Sequence, residues 1–225
     1  MTPSARHSDA RSVIFASIRD NLAASAPFDA ARSEHHRHAP PELTPTVRTV
    51  RDRGEIINGF KESLEQAGAK CSFVESEAQA AERFAVIVNG LEGKNIVISD
   101  SELVYRIVEA SRIDAIQDPS RDELFSSDIG VTSAQWAIAE TGTLVLESGA
   151  ERHRLVSLVP PIHVCILTER SIRLSMAEIL EAADINTNRT ITFITGASRT
   201  SDIELTLAIG VHGPGELHVI VIRDH

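Results

Sequence analysis

The sequence predicts an α/β layer architecture with a largely parallel sheet, and three observations carry that reading. Helical periodicities alternate with short apolar runs between residues 51 and 111, the pattern that strand–helix–strand units leave in a chain. The run Ile96–Ser99 opens with three consecutive β-branched apolar residues and is too short for a helix, as expected of a strand covered on both faces. From Ile113 onward the texture turns to short Val/Ile/Leu-rich segments separated by Gly, Pro and Thr.

The elements follow in order. Asp9–Ala24 reads as an amphipathic helix, with Val13, Ile14, Ile18 and Leu22 at helical spacing. Residues 25–45 hold Pro27, Pro40, Pro41 and Pro45 and little apolar content, so they form a linker. The cluster His35-His36-Arg37-His38 lies in that linker. It offers imidazoles to a metal ion, but no carboxylate or cysteine stands at useful spacing, and a solvated linker is favoured. The division is therefore an N-terminal helix and linker over residues 1–45, and an α/β domain over 46–225.

Arg51–Ala67 is a helix with Ile56, Ile57, Phe60 and Leu64 on one side and Gly68 as its stop. Lys70–Val74 is a strand, Glu77–Leu91 a helix, Ile96–Ser99 a strand, and Asp100 or Ser101 caps a helix over Glu102–Ser111. Asp128–Gly149 reads as strand, turn, strand, with Val131, Trp136, Ile138, Leu144 and Leu146 in the core. Leu155–Leu158 and Ile162–Leu167 are further strands, separated by a corner at Pro160-Pro161. Met176–Ala183 is helical, Asp202–Ile209 is extended, and Thr190–Ile194 and Leu217–Ile222 close the sheet.

Composition narrows the function. Twenty-two basic against 32 acidic residues give the 225-residue chain a net charge of −10. That argues against nucleic acid or an anionic membrane as the main partner, while leaving room for a local basic pocket. Aromatic residues make up 4% of the chain, too few for base-stacking platforms. Cys71 and Cys165 are far apart and cannot by themselves hold an iron–sulfur cluster or a four-ligand zinc site. The expectation is no intrinsic cofactor and no metal. With no secretory pattern and no apolar run of the ~18–20 residues needed to span a bilayer, the expected location is the cytoplasm.

Three segments hold the residues that chemistry can use. Glu140-Thr141-Gly142-Thr143 forms a turn entering an apolar strand. There Glu140 is placed to act as nucleophile or general base, or is simply a solvated hairpin glutamate. Gly142 permits close backbone approach, and Thr141 and Thr143 supply hydroxyls. The run from Thr195 to Ser201 follows a strand with the parts of an anion-binding loop. Gly196 frees backbone N–H groups, Thr195 and Ser198 donate, and Arg199 provides a forked cation, or the run is simply a polar loop with a surface arginine. Asp202 and Glu204, two apart, would face one side of a strand, where they orient Arg199 or pair as acid and base, the structural pairing being favoured. Arg154 is a second candidate cation. His212, between glycines in a tight turn, is a candidate acid–base group, whereas His163 within an apolar strand reads as structural.

The segments Asp128–Ser148, Arg154–Ile166 and Ile194–Ile222 together resemble the lactate-utilisation (LUD) domain family. The strings that carry the resemblance are DIGVTSAQWAIAETGTLVLES, RLVSLVPPIHVCI and ITGASRTSDIELTLAIGVHGPGELHVIVI. The first hundred residues match only in general character. The resemblance implies a three-layer α/β/α fold like that of the sugar-phosphate isomerase and CoA-transferase group. It also implies a part in oxidising L-lactate to pyruvate as a non-redox subunit, beside partner proteins that carry the iron–sulfur clusters. The segment around Glu140 is similar to the Ser-Glu-Asn-Gly segment of CoA transferases, whose glutamate attacks an acyl-CoA. Here Thr141 stands in place of the asparagine, and no glycine-rich oxyanion segment accompanies it. Two alternatives stay open: a stand-alone enzyme using Glu140 on an acyl-CoA or a phosphorylated small molecule, and an assembly protein without catalysis. A small carboxylate or phosphate is the expected ligand class, and a homo-oligomer is a further expectation.

Overall fold

A computed structural model describes residues 5–24, 52–91, 95–148, 154–182, 190–201, 207–209 and 213–224. The chain divides into two compact units, Met1–Val50 and Arg51–His225. The first contains helix α1, Ala5–Ala24, which begins one turn before the expected Asp9. The proline-bearing linker and its histidine cluster lie outside the described residues.

The second unit opens with α2 (Arg53–Gln66), β1 (Lys70–Val74), α3 (Glu77–Asn89), β2 (Ile96–Ile98) and α4 (Glu102–Ser111). It continues through β3 (Ile116–Gln117), α5 (Arg121–Phe125), β4 (Ile129–Ser133), β5 (Trp136–Ile138) and β6 (Thr143–Glu147). A 3-10 turn over Arg154–Ser157 leads to β7 (Ile162–Thr168), β8 (Ile172–Arg173), α6 (Met176–Ala182) and β9 (Ile191–Thr195). The chain finishes with β10 (Arg199–Ser201), β11 (Leu207–Ile209) and β12 (Glu216–Ile222).

Local chemistry explains several boundaries. The Ser76 side chain accepts the Gln79 N–H and caps α3, and Ser120 and Glu123 form a reciprocal capping box on α5. Helix α2 ends as its C-terminal glycine predicts. Gly68 takes a left-handed φ of +88°, its N–H donates to the Glu65 carbonyl (2.9 Å), and the Ala69 N–H reaches back to the Leu64 carbonyl (3.2 Å).

Six strands form the main sheet in the order β1-β12-β7-β4-β2-β3, every adjacent pair parallel. Alternation along β7 and β12 shows its two covered faces. Val164, Ile166, Ile220 and Ile222 pack against α3 and α4, through Phe84, Ile87, Val104 and Ile107. Cys165, Leu167, Leu217, Val219 and Val221 pack on the other side against Phe60 and Leu64 of α2 and against Leu144 and Leu146 of β6. The fold is thus the expected three-layer α/β/α arrangement with a mostly parallel sheet.

One layer is richer than expected. A second sheet, ordered β8-β5-β6-β9, shares that layer with α2. Strand β9 belongs to this smaller sheet rather than closing the main one, and β12 runs between β1 and β7 instead of along an edge. The stretch Asp128–Gly149 supplies three strands, not two, because the chain leaves the main sheet at Ser133 and enters the second at Trp136. Leu155–Leu158 is not a strand: Leu158 and Val159 both donate to the Leu155 carbonyl (3.0 and 2.9 Å), winding the segment into the 3-10 turn. That turn lies on Gly130, where a Cβ would collide with the Val156 carbonyl. Of the expected extended run Asp202–Ile209, Leu207–Ile209 pairs antiparallel with Arg199–Ser201, and residues 202–206 lie outside the described residues.

Candidate functional site: a groove beside Arg199

An open groove of about 460 Å³ is lined by residues from four segments. The end of β9 and the loop after it contribute Phe193 through Arg199. The 3-10 turn contributes Ser157 and Leu158, the approach to β12 contributes Gly213 and Pro214, and the end of α2 contributes Ala67. The loop is fixed to its neighbours. Ser198 N–H donates to the Pro214 carbonyl (2.8 Å), and Gly196, at φ +74°, sits so close to Ala67 that a Cβ would strike the Ala67 carbonyl.

Arg199 lies across Gly68 at the C-terminal end of α2, where a Cβ on Gly68 would collide with its guanidinium. The last carbonyls of a helix carry partial negative charge, which favours a cation there. Arg199 is exposed, so its fork remains open to an anion from the groove. The groove therefore offers a cation, hydroxyls of Thr195 and Ser198, and an apolar wall of Phe193, Leu158 and Pro214.

The Glu140 turn is not part of this groove's lining. Glu140 is exposed, its N–H donates to the Leu174 carbonyl (3.1 Å), and it is absent from the groove lining. Gly142, at φ +63°, makes its close approach to a helix, because a Cβ there would strike the backbone of Ser63 and Leu64 in α2. What joins turn and groove is a chain of hydroxyls. Thr141 Oγ1 lies 2.6 Å from Thr143 Oγ1, which lies 2.7 Å from Thr195 Oγ1. Thr143 is buried in the middle of this chain, while Thr141 and Thr195 are exposed at its two ends.

Of the other candidates, Arg154 begins the 3-10 turn that brings Ser157 to the groove, and its side chain lies outside the described residues. His212, Asp202 and Glu204 also lie outside them. His163 is fully buried, and its Nε2 lies 2.8 Å from Thr132 Oγ1. Burial pushes its pKa down to about 3, so it is a neutral core imidazole. Sequence reasoning passed over the apolar wall, because Phe193 reads simply as a strand residue. It also passed over a polar cluster at the start of β1 and β12. There Glu216 Oε1 accepts from Lys70 Nζ and lies 2.8 Å from His218 Nε2. Lys70, and secondarily His218, hold the Glu216 carboxyl below its ordinary range, whereas burial lowers the His218 pKa. Burial pushes the Cys71 thiol up to about 12, and Cys165 is buried. Among the described residues no group of histidine, cysteine, aspartate and glutamate could hold a metal ion, and no helix is long and apolar enough to cross a membrane.

The family model of the LUD domain matches residues 57–222, from the middle of α2 to the end of β12. The chain belongs to the LUD domain family. This LUD domain is 34% identical over 190 residues to "Lactate utilization protein C" of Deinococcus radiodurans, a match covering 81% of this chain and 87% of that protein. It is 36% identical over 104 residues to the protein of the same name from Bacillus subtilis, covering 44% of this chain and 43% of that one. Among solved structures, a "duf162 family protein" from Deinococcus radiodurans superposes with a TM-score of 0.62 at 28% identity, covering 76% of this chain and 99% of that one. The groove-forming segments of the LUD domain, the 3-10 turn, the loop after β9 and the approach to β12, all fall inside the matched range.

Proposed function

We propose that this LUD domain is a non-redox subunit of an L-lactate oxidation system that converts L-lactate to pyruvate. Lactate oxidation releases two electrons, and in this reading iron–sulfur clusters on partner proteins receive them. Cys71 and Cys165 are too few and too widely placed for a cluster of their own, and the relatives named for lactate utilisation supply the metabolic context. The single observation that carries a role at the groove is Arg199. It is held across Gly68 at the end of α2, with its fork open beside Thr195 and Ser198. Such a fork pairs with a carboxylate through two parallel hydrogen bonds.

Glu140 is not given the part of an acyl-CoA nucleophile in this reading. It stands outside the groove, and Thr141 replaces the asparagine that follows the glutamate in the CoA-transferase segment. Deleting the gene and measuring growth on L-lactate tests the role. Loss of growth restored by the intact gene is expected, and unimpaired growth in a strain without a second LUD-domain gene would sink it.

A further inference from the structure

The groove runs along a sheet edge that is unpaired among the described residues, and that edge defines what fits it. Strand β9 is the last strand of the smaller sheet and pairs only with β6 among the described residues. The Ser148 N–H donates to the Thr190 carbonyl (2.9 Å), in register with the β6–β9 ladder. By the alternation of an antiparallel pair, residues 190, 192 and 194 point their backbone groups at β6, and Ile191, Phe193 and Thr195 point theirs away from it. Phe193, Ile194 and Thr195 all line the groove although consecutive side chains lie on opposite faces. A cavity touching all three approaches the strand from its edge.

Among the described residues this edge lacks the usual protection. Ile191–Thr195 reads ITFIT, with no charge and no proline, and its residues show no fully buried face. Phe193 is 41% exposed. The other ends of the two larger sheets are blunted: β3 and β8 are two residues long, and β1 carries Lys70. Exposed edges of this composition invite a further strand unless something covers them. At the end of the edge stands Arg199, next to the loop bent by Gly196.

We propose that the groove is a docking site for an extended peptide segment of a partner protein. The segment adds a strand to β9, sets an apolar side chain against Phe193 and Leu158, and places a carboxylate on Arg199. This rests on the reading of Arg199 as a carboxylate receptor and names the carrier of that carboxylate. The groove volume of about 460 Å³ lies within the range of sites for ligands far larger than a hydroxy acid. Backbone pairing supplies affinity in such a mode, while the apolar contact and the charge supply selectivity. The carboxylate can come from the peptide's C-terminus or from an Asp or Glu side chain, and the experiment separates the two.

The test uses the full-length protein and a displayed library of random hexapeptides with free carboxyl ends, repeated with amidated ends. Enrichment of peptides with an apolar residue and a carboxylate is expected. Its loss on amidation assigns the terminal carboxylate, and its persistence with Asp or Glu assigns a side chain. One enriched peptide is then N-methylated at each amide in turn. Methylation at alternate positions should weaken binding roughly tenfold or more, and methylation at the positions between should have little effect. Arg199→Gln and the exposed-site variant Phe193→Lys should each reduce binding while the protein stays folded by circular dichroism. The proposal is overturned if no peptide is enriched, or if binding ignores the position of the methyl group. It is equally overturned if sedimentation shows a homodimer that Phe193→Lys dissociates, since the edge is then occupied by a second copy. Growth on L-lactate lost on Arg199→Gln without any peptide binding leaves the carboxylate reading standing and removes only the peptide. Peptide binding in a protein dispensable for growth on L-lactate removes the metabolic role and leaves the docking site.

Discussion

Thr143 in β6 and Thr195 in β9 face each other across the ladder with their hydroxyl oxygens 2.7 Å apart, and this contact ties the Glu140 turn to the groove. Thr143 also meets Thr141 at 2.6 Å, so one buried hydroxyl serves two neighbours.

Thr143→Val keeps the shape but removes the central hydroxyl. Its expected cost is roughly 0.5–1.5 kcal/mol, read by urea denaturation, the net worth of an ordinary hydrogen bond, because the neighbours Thr141 and Thr195 are exposed and can turn to water. The double variant with Thr195→Val should cost less than the sum of the two single changes. Additive costs would show that the two hydroxyls are not coupled.

Gly142→Ala combines a positive φ with a collision against the α2 backbone. A loss of more than roughly 2 kcal/mol is expected, from strain and overpacking together. Calorimetry showing an unchanged melting temperature would mean that the turn does not pack on Ser63 and Leu64.

His163 makes stability depend on pH in one direction. Its folded pKa of about 3 lies below the ordinary 6.5 because burial disfavours the imidazolium. Above about pH 6.5 both states leave the ring neutral and it adds no pH dependence. Below that value the unfolded chain takes up a proton that the folded chain does not, so stability falls toward about pH 3, by up to roughly 1.4 kcal/mol per unit. His163→Gln should flatten this slope in denaturation curves taken across the window. An unchanged slope would assign the loss to other groups.

Cys71 should resist alkylation in the folded protein at mildly alkaline pH, because its thiol is pushed up to about 12, chiefly by burial and secondarily by Glu65. Mass spectrometry after iodoacetamide treatment should find both cysteines modified only when denaturant is present. Rapid native labelling of Cys71 would contradict the packing of β1 against α2.

Much of the fold was legible because its signals are local. Lys70–Val74 and Glu102–Ser111 were read with their observed ends, since the Gly68 stop and the residues around Ser101 mark them within a few positions. The second sheet was not legible. Its pairing of Thr143–Glu147 with Ile191–Thr195 joins residues far apart in sequence, and alternation says which face a residue takes but not which strand it meets. Leu155–Leu158 looked like a strand from its apolar content. The 3-10 turn it forms packs closely on Gly130, a tertiary contact that the run does not contain. Strand β3 is too short for any period to register. At the site, the loop from Thr195 to Arg199 was found from its residue types. The absence of Glu140 from the groove lining, and the covering of Gly142 by α2, are tertiary facts that the turn's own residues do not contain.

The central claim, a lactate-oxidation subunit acting through the Arg199 groove, meets its most direct test in complementation. A strain lacking this gene and any other LUD-domain gene would carry the intact gene, an Arg199→Gln variant or an Arg199→Lys variant, with protein levels matched by immunoblot. Growth on L-lactate is predicted with the intact gene, little or none with Arg199→Gln, and partial growth with Arg199→Lys, which keeps the charge but loses the fork. Full growth on L-lactate without the gene, or with Arg199→Gln at matched levels, would contradict it.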